Sequence, residues 1–577
     1  MRLHQYIPIL EWLPKYRKAD LKGDLSAGLT VGVMLIPQGM AYAMIAGMPP
    51  IYGLYAATLP LILYAIFGTS RHLAVGPVAM VSLLTAAGIG TMAELGTSEY
   101  IALALTLALL VGGIQFLFGV FRLGFMVNFL SHPVISGFTS AAALIIGISQ
   151  LKHLLGIDLA RSHHIHEIII QAIERADEIN LVTVVIGVLG IGLILGLKKI
   201  NKAIPGSLVA VVVGIVAVSV FGFTELGVKI VGDVPDGLPA FGIPNMELSN
   251  ILALMPIALT ISLVGLMESI AVAKAVQSKH KNYKVIPNQE LIALGMANLG
   301  AAFFQGFPVT GGFSRTAVND QAGANTGLAS IISALLIIVT LLFLTSLFYF
   351  LPNAILAAVI MVAVFGLIDF KEVKFLWKSN KADFFVLIVT FFATLALGIE
   401  MGIGVGVILS LALVVYRSSR PHIAVLGRIP DSLFYKNVDR FDSLEQRKDL
   451  LIIRPDVRLY FANVNFFRDF LDEQIALKGK DLNAVILNAE SMNEVDSTGI
   501  HALKDILEDL NLQNIAFYIT GLKGPVRDAF SEAGLTKIMN AHSFFICIQD
   551  AVNWHDLPEK QQTNNDYQDF ISQTGKR

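Results

Sequence analysis

One short run in this 577-residue chain concentrates polar chemistry in apolar surroundings: GGFSRTAVND, residues 311–320. The two glycines interrupt the apolar run before Phe313. A helix that starts near Gly312 aims its free N–H groups, and the positive end of its dipole, at whatever lies ahead of it. Ser314 and Thr316 add hydroxyl donors, and Arg315 adds a fixed positive charge. An arginine at the centre of an isolated membrane helix costs at least ~2.5–3.5 kcal/mol, so one found there marks a binding or ion-pairing role. A second run, AVGPVAMVS at 74–82, has the same character. Pro77 has no N–H and suits a first helical turn. That leaves the backbone N–H groups of Val78 and Ala79 for the same ligand. Two helix N-termini converging from opposite sides replace much of an anion's hydration shell.

Other polar residues lie in apolar helical stretches. Gln38 and Tyr42 in LIPQGMAYAM are one turn apart and share a face. Gln38 can donate to an oxyanion or cap a carbonyl, and Tyr42 can wall a site or sit at an interface. Glu268, in SLVGLMESIAVAKAV, is a candidate proton carrier, sodium ligand or partner of Arg315. One turn later stands Val272, which has no side-chain oxygen, so the pattern leans toward protons or a structural pair. His163, His164 and His166 fall in a polar loop and read as solvated. With Cys547 the one cysteine, no metal site, disulfide framework or cofactor motif is expected. A net charge of −2 gives no basic footprint for nucleic acid.

The elements that position these residues follow from composition. Hydrophobic residues make up 55% of the chain and charged residues 15%, against about 25% charged in soluble domains. Of the 86 charged residues, 40 fall in 421–577. The chain therefore divides into a short N-terminal cytoplasmic segment (1–22), a transmembrane domain (23–420) and a soluble domain of ordinary composition (438–553). A polar tail at 557–577 reads as disordered. A span needs roughly 20 apolar residues. Twelve stretches qualify: 26–46, 50–68, 99–120, 134–155, 179–197, 205–222, 252–275, 288–305, 326–350, 353–369, 383–399 and 403–416. The two runs around Pro77 and Arg315 count as broken helices and make fourteen. Lysine and arginine then collect in the loops on one side, which the positive-inside rule assigns to the cytoplasm together with both termini. The membrane is expected to be the inner or plasma membrane. Each broken helix is third in a block of seven. An odd-numbered repeat inserts upside down relative to its partner, so the prediction is a 7+7 inverted repeat of α-helices with its site at the bilayer midplane.

The soluble domain alternates strand and helix. Stretches 450–463, 483–490 and 514–522 read as strands, and NVNFFRDFLDEQIALKG, STGIHALKDILEDLNLQ and GPVRDAFSEAG as helices, giving a small α/β sheet. Asp496 and Ser497 are placed to cap the second of these helices.

These residues resemble the SulP (sulfate permease) anion transporter family. The matching stretches are PQGMAYAMIAGMPPIYGLYAATLP (37–60), GTSRHLAVGPVAMVS (68–82) and NQELIALGMANLGAAFFQGFPVTGGFSRTAVN (288–319). The stretch NAESMNEVDSTGIHALKDIL resembles the STAS domain that follows SulP membrane domains and occurs in anti-sigma-factor antagonists. The resemblance implies a core domain moving against a scaffold domain, and transport rather than enzymatic activity. The implied substrates are small anions such as sulfate, bicarbonate or dicarboxylate. The implied binding site comprises Gln38, Tyr42, Val78, Ala79, Phe313, Ser314 and Arg315, with Glu268 at the coupling position. Some sodium-coupled relatives carry a hydroxyl where this chain has Val272. A homodimer and a cytoplasmic partner of the STAS domain are further implications. Thr498 is the best match to a phosphorylatable hydroxyl, beside Ser497.

Overall fold

The computed structural model describes residues 6–557, apart from 126–130, 160–164, 201–204, 281–282 and 540–542. His163, His164 and the polar tail from 558 lie outside these residues. The chain forms two compact units, Met1–Ser410 and Leu411–Arg577.

Each of the fourteen apolar stretches coincides with a helix. In chain order these are α1 (Lys18–Ile45), α2 (Leu59–Phe67), α3 (Ala79–Ile89), α4 (Ser98–Val120), α5 (His132–Ser149), α6 (Leu181–Ile200) and α7 (Gly206–Phe221). The second set is α8 (Leu248–His280), α9 (Pro287–Phe303), α10 (Phe313–Gln321), α11 (Leu328–Phe343), α12 (Asn353–Phe365), α13 (Lys381–Leu397) and α14 (Ile399–Ser419). Among the described residues, seven helices are long and apolar enough to cross a membrane unaided. The half-helices α3 and α10 are short because each is preceded by extended chain: β1 (Val75–Gly76) before α3 and β2 (Thr310–Gly311) before α10.

The packing partners of the two sets exchange. Helix α4 packs on α8 and α9, as α11 packs on α1 and α2, and α5 packs on α13 as α12 packs on α6. Exchanging the two blocks of seven turns each of these pairs into another, as an internal two-fold relation requires. Close approach is provided by glycine. A Cβ on Gly295 of α9 would lie 2.6 Å from the Phe116 nitrogen of α4, and one on Gly28 of α1 would lie 2.7 Å from the Ala329 oxygen of α11. Small residues at such crossings let membrane helices approach backbone to backbone. Two apolar clusters result. One gathers Leu84, Leu107, Ile261 and Leu294, and the other Ile36, Ile186, Val211 and Ile355.

The second unit holds a six-stranded sheet in the order β4-β3-β5-β6-β7-β8. Its strands are β3 (Ile423–Arg428), β4 (Tyr435–Asn437), β5 (Leu450–Pro455), β6 (Ala484–Asn488), β7 (Ala516–Thr520) and β8 (Phe544–Phe545). Strands β5 to β8 run parallel, and β3 is antiparallel to both its neighbours. The sheet thus begins upstream of 438, and the strands are shorter than their apolar runs. Side chains alternate across it. Ile453, Val485 and Ile519 face α15 (Val464–Lys478), α16 (Ser497–Leu512) and α17 (Gly524–Glu532) through Phe467, Leu503 and Phe530. Ile452 and Ile486 face the other way, onto Val552 and Trp554 of α18 (Ile548–His555).

The cap of α16 is Asp496, whose carboxylate accepts from the Gly499 N–H at 2.8 Å and the Phe461 N–H at 2.9 Å. Ser497 is therefore the first helical residue rather than a cap, and both it and Thr498 are exposed. Elsewhere in this unit, Arg447 donates two hydrogen bonds to Asp449 at 3.0 and 2.5 Å, and this holds the Asp449 carboxyl below its ordinary range. A carboxylate depressed on folding adds stability above its unfolded pKa of about 3.9, and that contribution disappears as pH falls through the folded value. Asp449→Asn is accordingly expected to lower the melting temperature of this unit at pH 7. It should also flatten the loss of stability below about pH 4, checked by limited proteolysis across a pH and temperature series.

Candidate functional site

The two broken helices meet. Strands β1 and β2 pair antiparallel, with Val75 opposite Gly311 and Gly76 opposite Thr310. The Gly312 N–H donates to the Ala74 carbonyl at 3.1 Å. Helix α3 then begins at Ala79 with Val78 as its N-cap, and α10 begins at Phe313 with Gly312 as its N-cap. The first N–H groups of each helix have no intrahelical acceptor. Pro77 precedes the cap instead of occupying the first turn, because Val75 and Gly76 are held extended by the ladder.

Arg315 lies between the two helix starts and is 2% exposed. Its Nη1 donates to the Pro77 carbonyl at 2.6 Å, while its Nε and Nη2 are buried without a hydrogen-bond partner. A Cβ on Gly312 would stand 3.0 Å from Nη2, so any larger residue there would press on the guanidinium. Tyr42 and Glu268 are the titratable groups that act electrostatically on Arg315. Neither Tyr42 nor Glu268 forms an ion pair or hydrogen bond with it, and the Glu268 Oε2 is buried without a partner. Arg315 is therefore held by a backbone carbonyl, not by a carboxylate.

Gln38 and Tyr42 of α1 and Val78 and Ala79 at the start of α3 are buried, at 6 to 7% exposure. Phe313 and Ser314 are exposed in the first turn of α10. Thr316 departs from the sequence reading. Its hydroxyl accepts from the Ala74 N–H at 3.0 Å and donates to the Gly312 carbonyl at 2.7 Å, so it locks the ladder and offers nothing to a ligand. Val272 is buried in α8.

A buried polar network that sequence reasoning missed fixes β2. Asn298 of α9 brackets Val309, accepting from its N–H at 2.8 Å and donating to its carbonyl at 3.0 Å. The same side chain donates to Gln115 of α4 at 3.0 Å. Ser269, next to Glu268, accepts from the Gly311 N–H at 2.9 Å, and its hydroxyl lies 2.8 Å from that of Thr310. The available signal was amide and hydroxyl residues inside apolar helices, which must find partners there. Asn298→Ala leaves the Val309 N–H and carbonyl without their side-chain partner, and each orphaned buried group costs about 1–3 kcal/mol. A drop in detergent melting temperature together with weaker ligand binding is the expected result.

Residues 21–390 match the Sulfate permease family and residues 443–551 the STAS domain. The chain is 39% identical over 574 residues to sulfate transporter 4.1, chloroplastic, of Arabidopsis thaliana, covering 96% of this chain and 83% of that protein. The inward-facing structure of murine Solute Carrier 26 family member A9 superposes with a TM-score of 0.89 at 27% identity, over 96% of this chain and 94% of that one. The transmembrane domain of the cyanobacterium bicarbonate transporter BicA superposes with a TM-score of 0.60 at 25% identity, over 69% of this chain and 98% of that one. These relatives are transporters and not enzymes. With the family match over most of the membrane unit and the STAS match over the α/β unit that follows it, the chain belongs to the sulfate permease family.

Proposed function

We propose that this protein is a secondary-active transporter of a small oxyanion, with sulfate and bicarbonate as the leading substrates and dicarboxylates next. The observation that carries the reading is Arg315: fully enclosed between the starts of α3 and α10, it keeps two guanidinium nitrogens without a protein partner. Each helix start contributes about half a positive charge. A buried cation with unspent donors is costly unless an anion completes it. Ala79, Phe313 and Ser314 supply further N–H groups, the Ser314 hydroxyl one more donor, and Gln38 and Tyr42 the facing wall. The relative named a sulfate transporter and the neighbour named a bicarbonate transporter support these two anions.

Coupling to protons, or anion exchange, fits this chain better than coupling to sodium. Glu268 offers a carboxylate within electrostatic reach of Arg315, whereas Val272 offers no oxygen. The protein works in this reading as a homodimer in an inner or plasma membrane, with both termini cytoplasmic and its STAS domain available to a cytoplasmic partner. The test is uptake of labelled sulfate and bicarbonate into proteoliposomes under imposed proton or sodium gradients. Concentrative uptake driven by protons or by counter-anion is expected. Downhill flux alone would indicate a channel on the same scaffold. Folded protein with no flux of any of these anions would overturn the transport reading and favour a membrane-bound regulator.

A further inference from the structure

The chain between α12 and α13 forms a ten-residue helix of its own, Phe370–Ser379. Only residues 366–369 separate it from α12, and Asn380 alone separates it from α13. Asn380 is extended and caps α13, accepting from the Ala382 N–H at 3.2 Å and the Asp383 N–H at 3.3 Å. Both ends are thus held to apolar helices of the membrane unit, which places this linking helix at the edge of the bilayer. Its one buried side chain is Leu376. Phe370, Phe375 and Trp377 are 76%, 62% and 54% exposed. Lys371, Lys374 and Lys378 are exposed, lie three and four residues apart, and so share one face. With about 3.6 residues per turn, Phe370 and Trp377 border that face on one side and Phe375 on the other. The acidic groups of the helix are taken up within the protein. Asp369 accepts from the Lys371 and Glu372 N–H groups at 3.0 Å, and Glu372 lies 3.2 Å from the His132 Nδ1. Among the described residues, no carboxylate pairs with the three lysines. The Lys381 ammonium stands 3.6 Å from the centre of the Trp377 ring, which packs on Phe384 with centroids 4.9 Å apart.

We propose that this face is a docking surface for the headgroups of anionic phospholipids, in the leaflet where α12 gives way to α13. Charge selects the partner. Three cations on one face, with no carboxylate among them, complement an anionic headgroup layer, and each lysine near such a surface adds an attraction that salt screens. The rings select the depth. Aromatic side chains beside a basic face settle at the boundary between headgroups and acyl chains. The lysine stems lie along apolar surface while their ammonium groups reach the phosphates. A protein with an acidic face would match the charge, but the short tethers keep this helix against the bilayer, and the exposed rings fit the acyl boundary. Headgroups held here steady the junction between α12, which packs on α1, and α13, which packs on α5. The positive-inside pattern assigns this leaflet to the cytoplasmic side. The docking depends neither on that assignment nor on the transport reading.

The test uses the full chain in vesicles, with Trp377 as the reporter. Phosphatidylglycerol or phosphatidylcholine, brominated in the upper acyl chain and diluted in unlabelled phosphatidylcholine, quenches a tryptophan that it touches. Trp377→Phe supplies the background from Trp12 and Trp554. At equal mole fraction, brominated phosphatidylglycerol should be enriched about threefold or more around Trp377 relative to brominated phosphatidylcholine. Most of that preference should vanish at about 1 M salt, where the screening length is about 3 Å. Lys371→Gln, Lys374→Gln and Lys378→Gln together should bring the ratio close to one and leave quenching by brominated phosphatidylcholine in place. Lys371→Arg, Lys374→Arg and Lys378→Arg together should keep the preference. Equal quenching by the two lipids in the wild type overturns the proposal. Quenching by neither also overturns it and leaves the face to an acidic protein partner. A folded glutamine variant with the full preference overturns it too, since the lysines are then not its source. If the glutamine variant does not elute as a single species, the wild-type ratio and its salt dependence decide.

Discussion

Replacing Arg315 by alanine is expected to weaken anion binding by about 30-fold or more, since cutting away one partner of a buried charge pair costs about 2–5 kcal/mol. The side chain is 2% exposed and sits between two helix N-termini. Its charge is therefore the strongest local source of positive potential, in surroundings that screen it little. Fold loss predicts a different pattern. Arg315 has one hydrogen bond, to the Pro77 carbonyl, and no carboxylate partner, so in the empty protein it is a desolvated charge with little compensation. Removing such a charge tends to leave stability unchanged or to raise it. Arg315→Ala should thus melt no lower than wild type while binding labelled sulfate poorly. Arg315→Lys keeps the charge but cannot hold Pro77 and an oxyanion in one planar fork, so its affinity should fall between the two. A folded alanine variant with wild-type affinity would place the anion elsewhere.

The second large effect is expected at Glu268. Its Oε2 is buried without a partner, and its neighbour Ser269 is tied to β2 through Gly311 and Thr310. If Glu268 carries the coupling proton, it is protonated in one orientation of the transporter and releases the proton in the other. Uptake should then rise as outside pH falls, with no requirement for sodium. Glu268→Gln mimics the protonated form. It should bind the anion and exchange it across the membrane, yet lose accumulation driven by a pH gradient. If Glu268 only tunes Arg315, the same change alters affinity by a similar factor at every pH. Uptake and binding measured in parallel across a pH series separate the two. PH-driven concentrative uptake in the Gln variant would rule out the proton-carrier role, and a strict sodium requirement in the wild type would remove the argument from Val272.

What could be read from the sequence followed from how far each cause reaches along the chain. Gly312 caps α10 where a local glycine break placed it, and the apolar runs coincide with helices because hydropathy needs no partner. Ala79 and Phe313 open the half-helices for the same local reason. Long-range pairing was not visible. Nothing near Val75 announces that it lies opposite Gly311, and so Pro77 read as a first-turn residue and Thr316 as a ligand donor. In the second unit, β4 escaped notice because it is three residues long with Lys436 at its centre, and β3 because its apolar run ends at Gly427 and Arg428.

The ladder between β1 and β2 limits how the pocket can be emptied. A hinge that swung α3 away from α10 would have to break the strand pairing, the bond from Gly312 to Ala74 and the clasp of Arg315 on Pro77. It would also strand those groups in an apolar interior. The two half-helices are thus sewn into a single cradle. If the anion binds here as proposed, that cradle carries it as a unit, and the neighbouring helices decide to which side of the bilayer it is exposed.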